Sequence, residues 1–415
     1  MTLWGAIPSV TCMNSLRAAA PAPYNDNPIT GHVYANLSRH PLSGVWISYD
    51  TGAAITDQNG FYSIPASAGA SYTLTPETYG VLSFSPTNSA AAAGATGVDF
   101  TATPAASLSP GRLYAEAIQG DYAYLGANGW LYIVNIHNKA GPVEASRLWI
   151  DGTNIQDIVV AGHYAYLASA SETGGEVNVV DVSNPANPVW VSSEPVLADN
   201  LAVYGQYLVM ASSRYLYIYQ QATSPAPHFL TRLVTLDPGS VNAAYWVAVS
   251  GHYAYVTGSQ GLYIYDITNP AHPSAPWHYP AFWGYYTLVV DGQYAYLGYD
   301  DGDMLILDVA DPAHVYQVSM PVTDSVRLAK AGNYLYAVQP SSEKKLIIVD
   351  VSNPYIPTQP GSYAFTGTTV DVQVQENYAF VLEQISGSSP TSHLDILDVS
   401  DKATPVEVGS YTPAP

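Results

Sequence analysis

The sequence predicts an all-β chain, a seven-bladed β-propeller preceded by a small β-sandwich. Three observations predict it. A unit recurs seven times, at Gly120, Gly162, Gly205, Gly251, Gly292, Gly332 and Glu376, spaced 40 to 46 residues apart, and a period of this size marks a repeat architecture. Within each unit the runs are short, rich in Tyr, Val and Ile, and separated by Gly, Asn and Pro, with no sustained 3.6-residue periodicity. The inner runs are continuously apolar rather than alternating, as expected where four-stranded sheets repeat radially and bury both faces against their neighbours.

Taken in order, residues 1–27 are an arm unlike the rest. Leu3, Trp4, Ile7, Val10 and Met13 stand in it before an Ala/Pro-rich link. Each large apolar side chain gains roughly 1.5–3 kcal/mol on burial, so the arm is a candidate for docking on a neighbouring subunit by strand addition. Residues 28–104 read as strands joined by tight turns, among them Asp57-Gln58-Asn59-Gly60, where Gly relieves a positive-φ position. Residues 105–111 are a short linker. Residues 112–415 carry the seven units: an apolar run, a Gly turn, a Tyr-Ala-Tyr strand, a Leu-x-Ile-Val-Asp strand, an Asn-Pro or Asp-Pro turn, and a more polar fourth segment.

Two resemblances follow from these residues. Leu346-Ile347-Ile348-Val349-Asp350-Val351-Ser352-Asn353-Pro354 and its copies, with the upstream Gly-x-Tyr-Ala-Tyr, resemble the LVIVD-repeat family of surface proteins over residues 108–415. That resemblance implies the propeller and brings no catalytic residues with it. Gly31-x-Val33, Pro41-Leu42-x-Gly44-Val45, Thr56-Asp57-x-Asn59-Gly60-x-Tyr62, Tyr79-Gly80 and Phe84-Ser85-Pro86 resemble the carboxypeptidase-regulatory-like (transthyretin- or CnaB-like) β-sandwich. This second resemblance implies a spacer or adhesive module. No lysine lies in 28–104, so a Lys–Asn isopeptide crosslink cannot form within it.

Composition narrows the function classes. With 12 basic against 33 acidic residues and a net charge of −21, the chain lacks the basic footprint that nucleic acid or anionic lipid requires. No run of 18 apolar residues offers a membrane span. A single cysteine, Cys12, rules out a disulfide framework within the chain. Scarce lysine, 35 tyrosines and β-repeats together point to an extracellular or cell-surface location. Met1–Arg17 lacks the features of a signal peptide, although Ala18-Ala19-Ala20-Pro21-Ala22 superficially resembles a cleavage site.

The sequence holds no HExxH, no Gly-x-Ser-x-Gly elbow and no phosphate-binding glycine loop, so no enzyme, cofactor or metal is expected. Asp181, Asp266, Asp308, Asp350 and Asp398 recur at strand ends. They fall on separate blades, where a carboxylate accepts from the N–H groups of the following turn. Tyr299-Asp300-Asp301-Gly302-Asp303 reads as a solvated acidic turn, with calcium as the alternative. Five residues before each repeat Gly, and at the aligned place before Glu376, stand Ala115, Asp157, Asn200, Trp246, Thr287, Arg327 and Asp371. Residues after this position look like blade packing, which leaves the position itself free to line the channel mouth. Asp157, Asn200, Trp246, Arg327 and Asp371 would there hold a glycan or small polar ligand, or Arg327 would simply neutralise Asp157 or Asp371. The aromatic loop 276–286 contains Trp277 and Trp283, candidate anchors of an interface. The leading expectation is a non-enzymatic structural or adhesive protein, a homo-oligomer or polymer assembled through its arm. A monomeric ligand-binding propeller and a propeller enzyme with its site at the channel mouth are the alternatives.

Overall fold

The β-branched and aromatic runs form 35 strands among the described residues of the computed structural model. Those residues are 27–104 and 112–414, apart from 37, 51, 78–81, 172–173, 213–214, 222–229, 237–243, 259, 281–284, 300–303, 322–326, 339–343 and 388–390. Leu3, Trp4, Ile7, Val10, Trp283 and the acid cluster at 300–303 lie outside them. The chain divides into two units, residues 1–34 with 41–103, and residues 35–40 with 104–415.

The first unit holds two four-stranded sheets. Its strands are β1 (Ile29–Ala35), β2 (Trp46–Tyr49), β3 (Gly52–Ile55), β4 (Phe61–Ile64), β5 (Ser71–Glu77), β6 (Leu82–Ser85), β7 (Ser89–Ala92) and β8 (Phe100–Pro104). One sheet runs β4-β1-β8-β6 and the other β3-β2-β5-β7. Every second residue of β1 is buried, the period-two signature of a sheet with one face in a core. Ile29, Val33, Ile47, Ile64, Leu74 and Phe100 are fully enclosed there. The predicted turn is present: Asp57 Oδ1 accepts from the N–H groups of Asn59 at 2.8 Å and Phe61 at 2.9 Å, and Gly60 has φ +68°.

In the second unit the first two repeats share a strand. They comprise β9 (Ala115–Gln119), β10 (Tyr122–Gly126), β11 (Asn128–Asn135), β12 (Val143–Ala161), β13 (Tyr164–Ser171), β14 (Gly174–Asp181) and β15 (Val189–Glu194), one seven-stranded sheet. Its long strand β12 pairs with β11 through its first half and with β13 through its second. Five consecutive four-stranded sheets follow. These are β16–β19 (Asn200–Tyr204, Tyr207–Ala211, Leu216–Gln221, Leu230–Leu236), then β20–β23 (Ala244–Ser250, Tyr253–Gly258, Gly261–Asp266, Trp277–Pro280). Next come β24–β27 (Tyr285–Asp291, Tyr294–Tyr299, Met304–Asp308, Tyr316–Ser319) and β28–β31 (Arg327–Ala331, Tyr334–Val338, Lys345–Asp350, Thr358–Ala364). The last sheet is β32–β35 (Thr368–Gln375, Tyr378–Ile385, Thr391–Asp398, Val406–Tyr411).

The inner strands neighbour one another in a closed cycle, β9, β12, β16, β20, β24, β28, β32 and back to β9. The closing contacts are specific. Gln375 Nε2 donates to the Gly120 carbonyl at 2.9 Å, Gln384 Nε2 to that of Leu113 at 2.7 Å, and Tyr411 Oη to Glu144 Oε2 at 2.6 Å. Tyr124, Tyr166, Tyr255, Tyr296, Tyr336 and Phe380 occupy one repeat position and are all buried, packing sheet against sheet. The repeat aspartates act as the sequence implies. Asp181, Asp266, Asp350 and Asp398 each accept a backbone N–H two residues on at 2.8 Å, and Asp308 does so at 3.0 Å.

Candidate functional site: a polar ring on the inner strands

The ring position sits beside a defect in the ladder. In β12, β20, β24 and β32 the register slips by one residue just before Asp157, Trp246, Thr287 and Asp371, and such bulges re-aim the next side chain. The ring residues then meet across the axis that the inner strands enclose. The Arg327 guanidinium lies over the Trp246 ring at 4.6 Å, although their strands are not neighbours in the cycle. Arg327 also acts electrostatically on both Asp157 and Asp371. Asp157, Asn200, Trp246, Arg327 and Asp371 are therefore gathered at one place, with Ala115 and Thr287 buried on the same ring.

Most of this polarity is engaged in holding neighbouring inner strands together. Asp157 Oδ2 accepts from Leu201 N–H at 2.6 Å and from Asn200 Nδ2 at 2.8 Å, while its Oδ1 accepts from Ile158 N–H at 3.0 Å. Asn200 Oδ1 accepts in turn from Val247 N–H at 2.8 Å. Asp371 repeats the arrangement, taking Val372 N–H at 2.9 Å and the N–H of Glu116 on β9. Each acceptor thus ties its own strand to the next, which is a structural use of residues that also look like ligand groups.

The electrostatics follow from enclosure. Asp157 and Asp371 touch space inside the ring but are surrounded by protein. Burial pushes Asp157 up to about 7, against the pull of Leu201 N–H, with Asp371 adding to the rise and Ile158 N–H and Arg327 opposing it. Burial likewise raises Asp371 to about 6, held back by Arg327 and by its two N–H donors.

One carboxyl escaped the sequence reading. Ile158, Leu201, Val247, Leu288, Leu328 and Val372 are apolar packing residues, but the matching residue on β9 is Glu116, only 1% exposed. Burial drives its carboxyl well above the usual range, and Asp371 and Asp395 push the same way. Gln373 N–H approaches and favours the charged form, yet neither carboxyl oxygen has a partner at hydrogen-bond geometry. Asp395, 5% exposed, is raised to about 8 by burial and by the Glu383 carboxyl beside it. The signal for Glu116 was available: it is the one acid at an otherwise apolar repeat position. Among the described residues no three His, Cys, Asp or Glu side chains converge to hold a metal ion.

Trp277 does not lie in a loop. It opens β23, pairs with Ile264, and packs half-buried among the side chains between the β20–β23 and β24–β27 sheets. Aromatic residues suit a pleated, half-buried surface, and the run from Trp277 to Pro280 supplies the fourth strand its sheet needs.

The LVIVD repeat model matches residues 116–148, 152–194, 243–279, 286–320, 324–364 and 366–413. The unmatched copy is β16–β19, where Gln220 stands in place of the repeat Asp. No curated protein matches the chain. Among solved structures, a Bacteroides fragilis protein provisionally described as a 6-phosphogluconolactonase superposes with a TM-score of 0.55 at 13% identity. That match covers 73% of this chain and 97% of that one. A chain of the mitotic checkpoint complex gives 0.54 at 12% identity, covering 70% and 90%. At such identities the likeness concerns fold alone. Repeat, sheets and likeness agree on a repeat β-propeller, and with more than half its length matched the chain belongs to the LVIVD-repeat family.

Proposed function

We propose that this chain is a non-enzymatic extracellular or cell-surface structural protein that self-associates through its N-terminal arm. Its scaffold is a seven-bladed propeller with a carboxypeptidase-regulatory-like β-sandwich ahead of it. The observation that carries the non-enzymatic reading is how the ring acids are used. Asp157 and Asp371, the two carboxylates best placed for chemistry, accept backbone N–H groups of neighbouring strands. A general acid or base must be free to reach a substrate proton, and these two are committed to the fold. Asp157→Ala and Asp371→Ala should therefore remove no hydrolytic activity in a broad substrate screen, because none is present in the parent. Light scattering and electron microscopy of the full chain test the assembly. A monomer at every concentration would end that part of the reading.

A second reading, a propeller binding a glycan or small polar ligand, rests on the ring groups beside Asp157 and Asp371. Trp246 under Arg327 offers an aromatic and guanidinium pair, and Thr287 Oγ1 is buried with no hydrogen-bond partner among the described residues. A glycan array in which Trp246→Ala abolishes a signal seen with the parent would favour it.

A further inference from the structure

In the two-sheet unit the edge strands β3 and β7 both lack charge, proline and register shift, and of the two β3 has the large exposed apolar side chains Trp46 and Ile55 in its ladder. β3 (Gly52–Ile55) borders its sheet and pairs with β2 in unbroken register, Trp46↔Ile55, Ile47↔Ala54, Ser48↔Ala53 and Tyr49↔Gly52. It carries no charge, no proline and no bulge, the devices by which edges avoid pairing with other chains. Among the outer strands of the second unit, β15, β19, β27, β31 and β35 each contain a register shift, and β23 ends on Pro280. β3 has neither. In a hairpin with a two-residue loop the closing pair exchanges hydrogen bonds and the pairs then alternate. Tyr49/Gly52 and Ile47/Ala54 are thus the bonded pairs, and Thr56 N–H donating to Val45 O at 3.0 Å continues the alternation. Ala53 and Ile55 consequently aim their N–H and C=O groups outward.

The face beside this edge is apolar. Trp46 is 42% and Ile55 51% exposed, and they stand directly opposite each other in the ladder. The chain itself supplies a matching segment. Thr2-Leu3-Trp4-Gly5-Ala6-Ile7 is uncharged and stops at Pro8, a length close to that of the shorter strands here. Added to a sheet, it would set Leu3, Gly5 and Ile7 on one face and Trp4 and Ala6 on the other. Placing Leu3 and Ile7 on the outer face would extend the Trp46/Ile55 patch.

We infer that β3 is the acceptor edge for residues 2–7 of a second copy of this chain. The contact joins two different patches, so repeating it gives a ring or an open fibre rather than a closed pair. This inference rests on the proposed self-association and names the surface that receives the arm.

The test uses the full-length chain with a fluorescent peptide of residues 1–13 as the probe, alongside sedimentation of the unlabelled protein over a concentration series. Ala53→Pro removes an outward N–H while leaving the β2 ladder intact, and Ile55→Lys puts a charge on the patch. Circular dichroism and the melting temperature establish that both variants fold. Expected are saturable peptide binding, weakened about tenfold by either substitution through loss of an edge hydrogen bond or apolar contact, and parallel loss of the large species. Unchanged peptide binding and assembly in both folded variants would overturn β3 as the acceptor while leaving arm-mediated assembly standing if Leu3→Lys still disperses the particles. A parent protein that stays monomeric and binds no peptide overturns both readings. Peptide binding only after deletion of residues 1–13, by a parent that is monomeric at every concentration, would overturn the contact between copies, since the edge would then be filled by the chain's own arm.

Discussion

Individual residues reveal where the repeat is strict and where it tolerates strain. The six repeat glycines hold φ between 55° and 61°, and Glu376 holds 57° at the seventh place. A side chain in this left-handed region costs roughly 1–2 kcal/mol, partly offset because glycine loses more chain entropy on folding. Glu376→Gly should therefore stabilise the fold by about 0.5–1 kcal/mol in chemical denaturation, and a loss of stability would contradict the turn reading. Asp157 is the reverse case. Asp157→Ala would strand three buried donors, Leu201 N–H, Ile158 N–H and the Asn200 amide, at a cost of about 2–4 kcal/mol. Asp157→Asn keeps an acceptor and should lose less than half of that. The position before each repeat Gly was singled out by its variability, and there Asp157 bonds Asn200, while Arg327 lies over Trp246 and acts on Asp371. That Asp157 and Asp371 accept hydrogen bonds from the next strand was not legible, because it depends on spacing between strands some 40 residues apart.

Strands and turns were legible where local chemistry decides them and obscure where packing does. The Asp-x-Asn-Gly turn and the strand-end aspartates follow from side chains bonding nearby N–H groups, and they appear as the sequence implies. β3 and β7, composed of Gly, Ala and Ser except for Ile55, carry almost no strand propensity and exist because neighbouring strands recruit them. Several of the fourth strands share a feature that no single copy reveals. Opposite Ile133, Ile306, Ile348 and Ile396 stand Ser146, Ser319, Gly361 and Gly409, each next to a register shift. Ser146 and Ser319 donate to the Pro185 and Pro354 carbonyls of the following repeat's turn at 2.6 Å. At Gly361 and Gly409 a Cβ would instead collide with the carbonyl oxygens of Lys402 and Lys139. In these copies the next turn presses on the strand and the residue is small, whereas Trp277 opposite Ile264 and Val234 opposite Ile218 stand at the same place in two other sheets. Gly361→Ala should destabilise by about 1–3 kcal/mol, whereas Gly387→Ala, with open space around it, should change little. Equal effects in a thermal melt would refute the close approach.

The whole molecule combines a net charge of −21 with buried carboxyls on β9, β12, β32 and β34, and the two act together on its response to pH. Asp157, Asp371 and Asp395 are raised to about 7, 6 and 8, and Glu116 also lies well above its ordinary value. A carboxyl whose folded value is raised keeps its proton when the unfolded chain has released it. Its contribution is complete below the unfolded value near 4 and is lost as pH rises through the folded value. The turn residues Asp266, Asp350 and Asp398 shift the other way through hydrogen bonds from Thr268, Ser352 and Ser400, and their contribution is lost only as pH falls below the ordinary carboxylate range. These turn groups are exposed and screened by solvent, so they count for little beside the buried ones. Self-repulsion among surface acids grows over the same interval and has the same sign. The melting temperature should accordingly peak near pH 4–5 and fall steadily to pH 8. Added salt should recover the repulsive part but little of the buried part. Asp157→Asn removes one titrating group and should flatten the slope between about pH 4 and 7, at the price of its weaker acceptor. Differential scanning calorimetry of parent and variant across that range decides the matter, and a melting temperature that climbs from pH 5 to pH 8 would show that the buried acids do not control the stability of the ring.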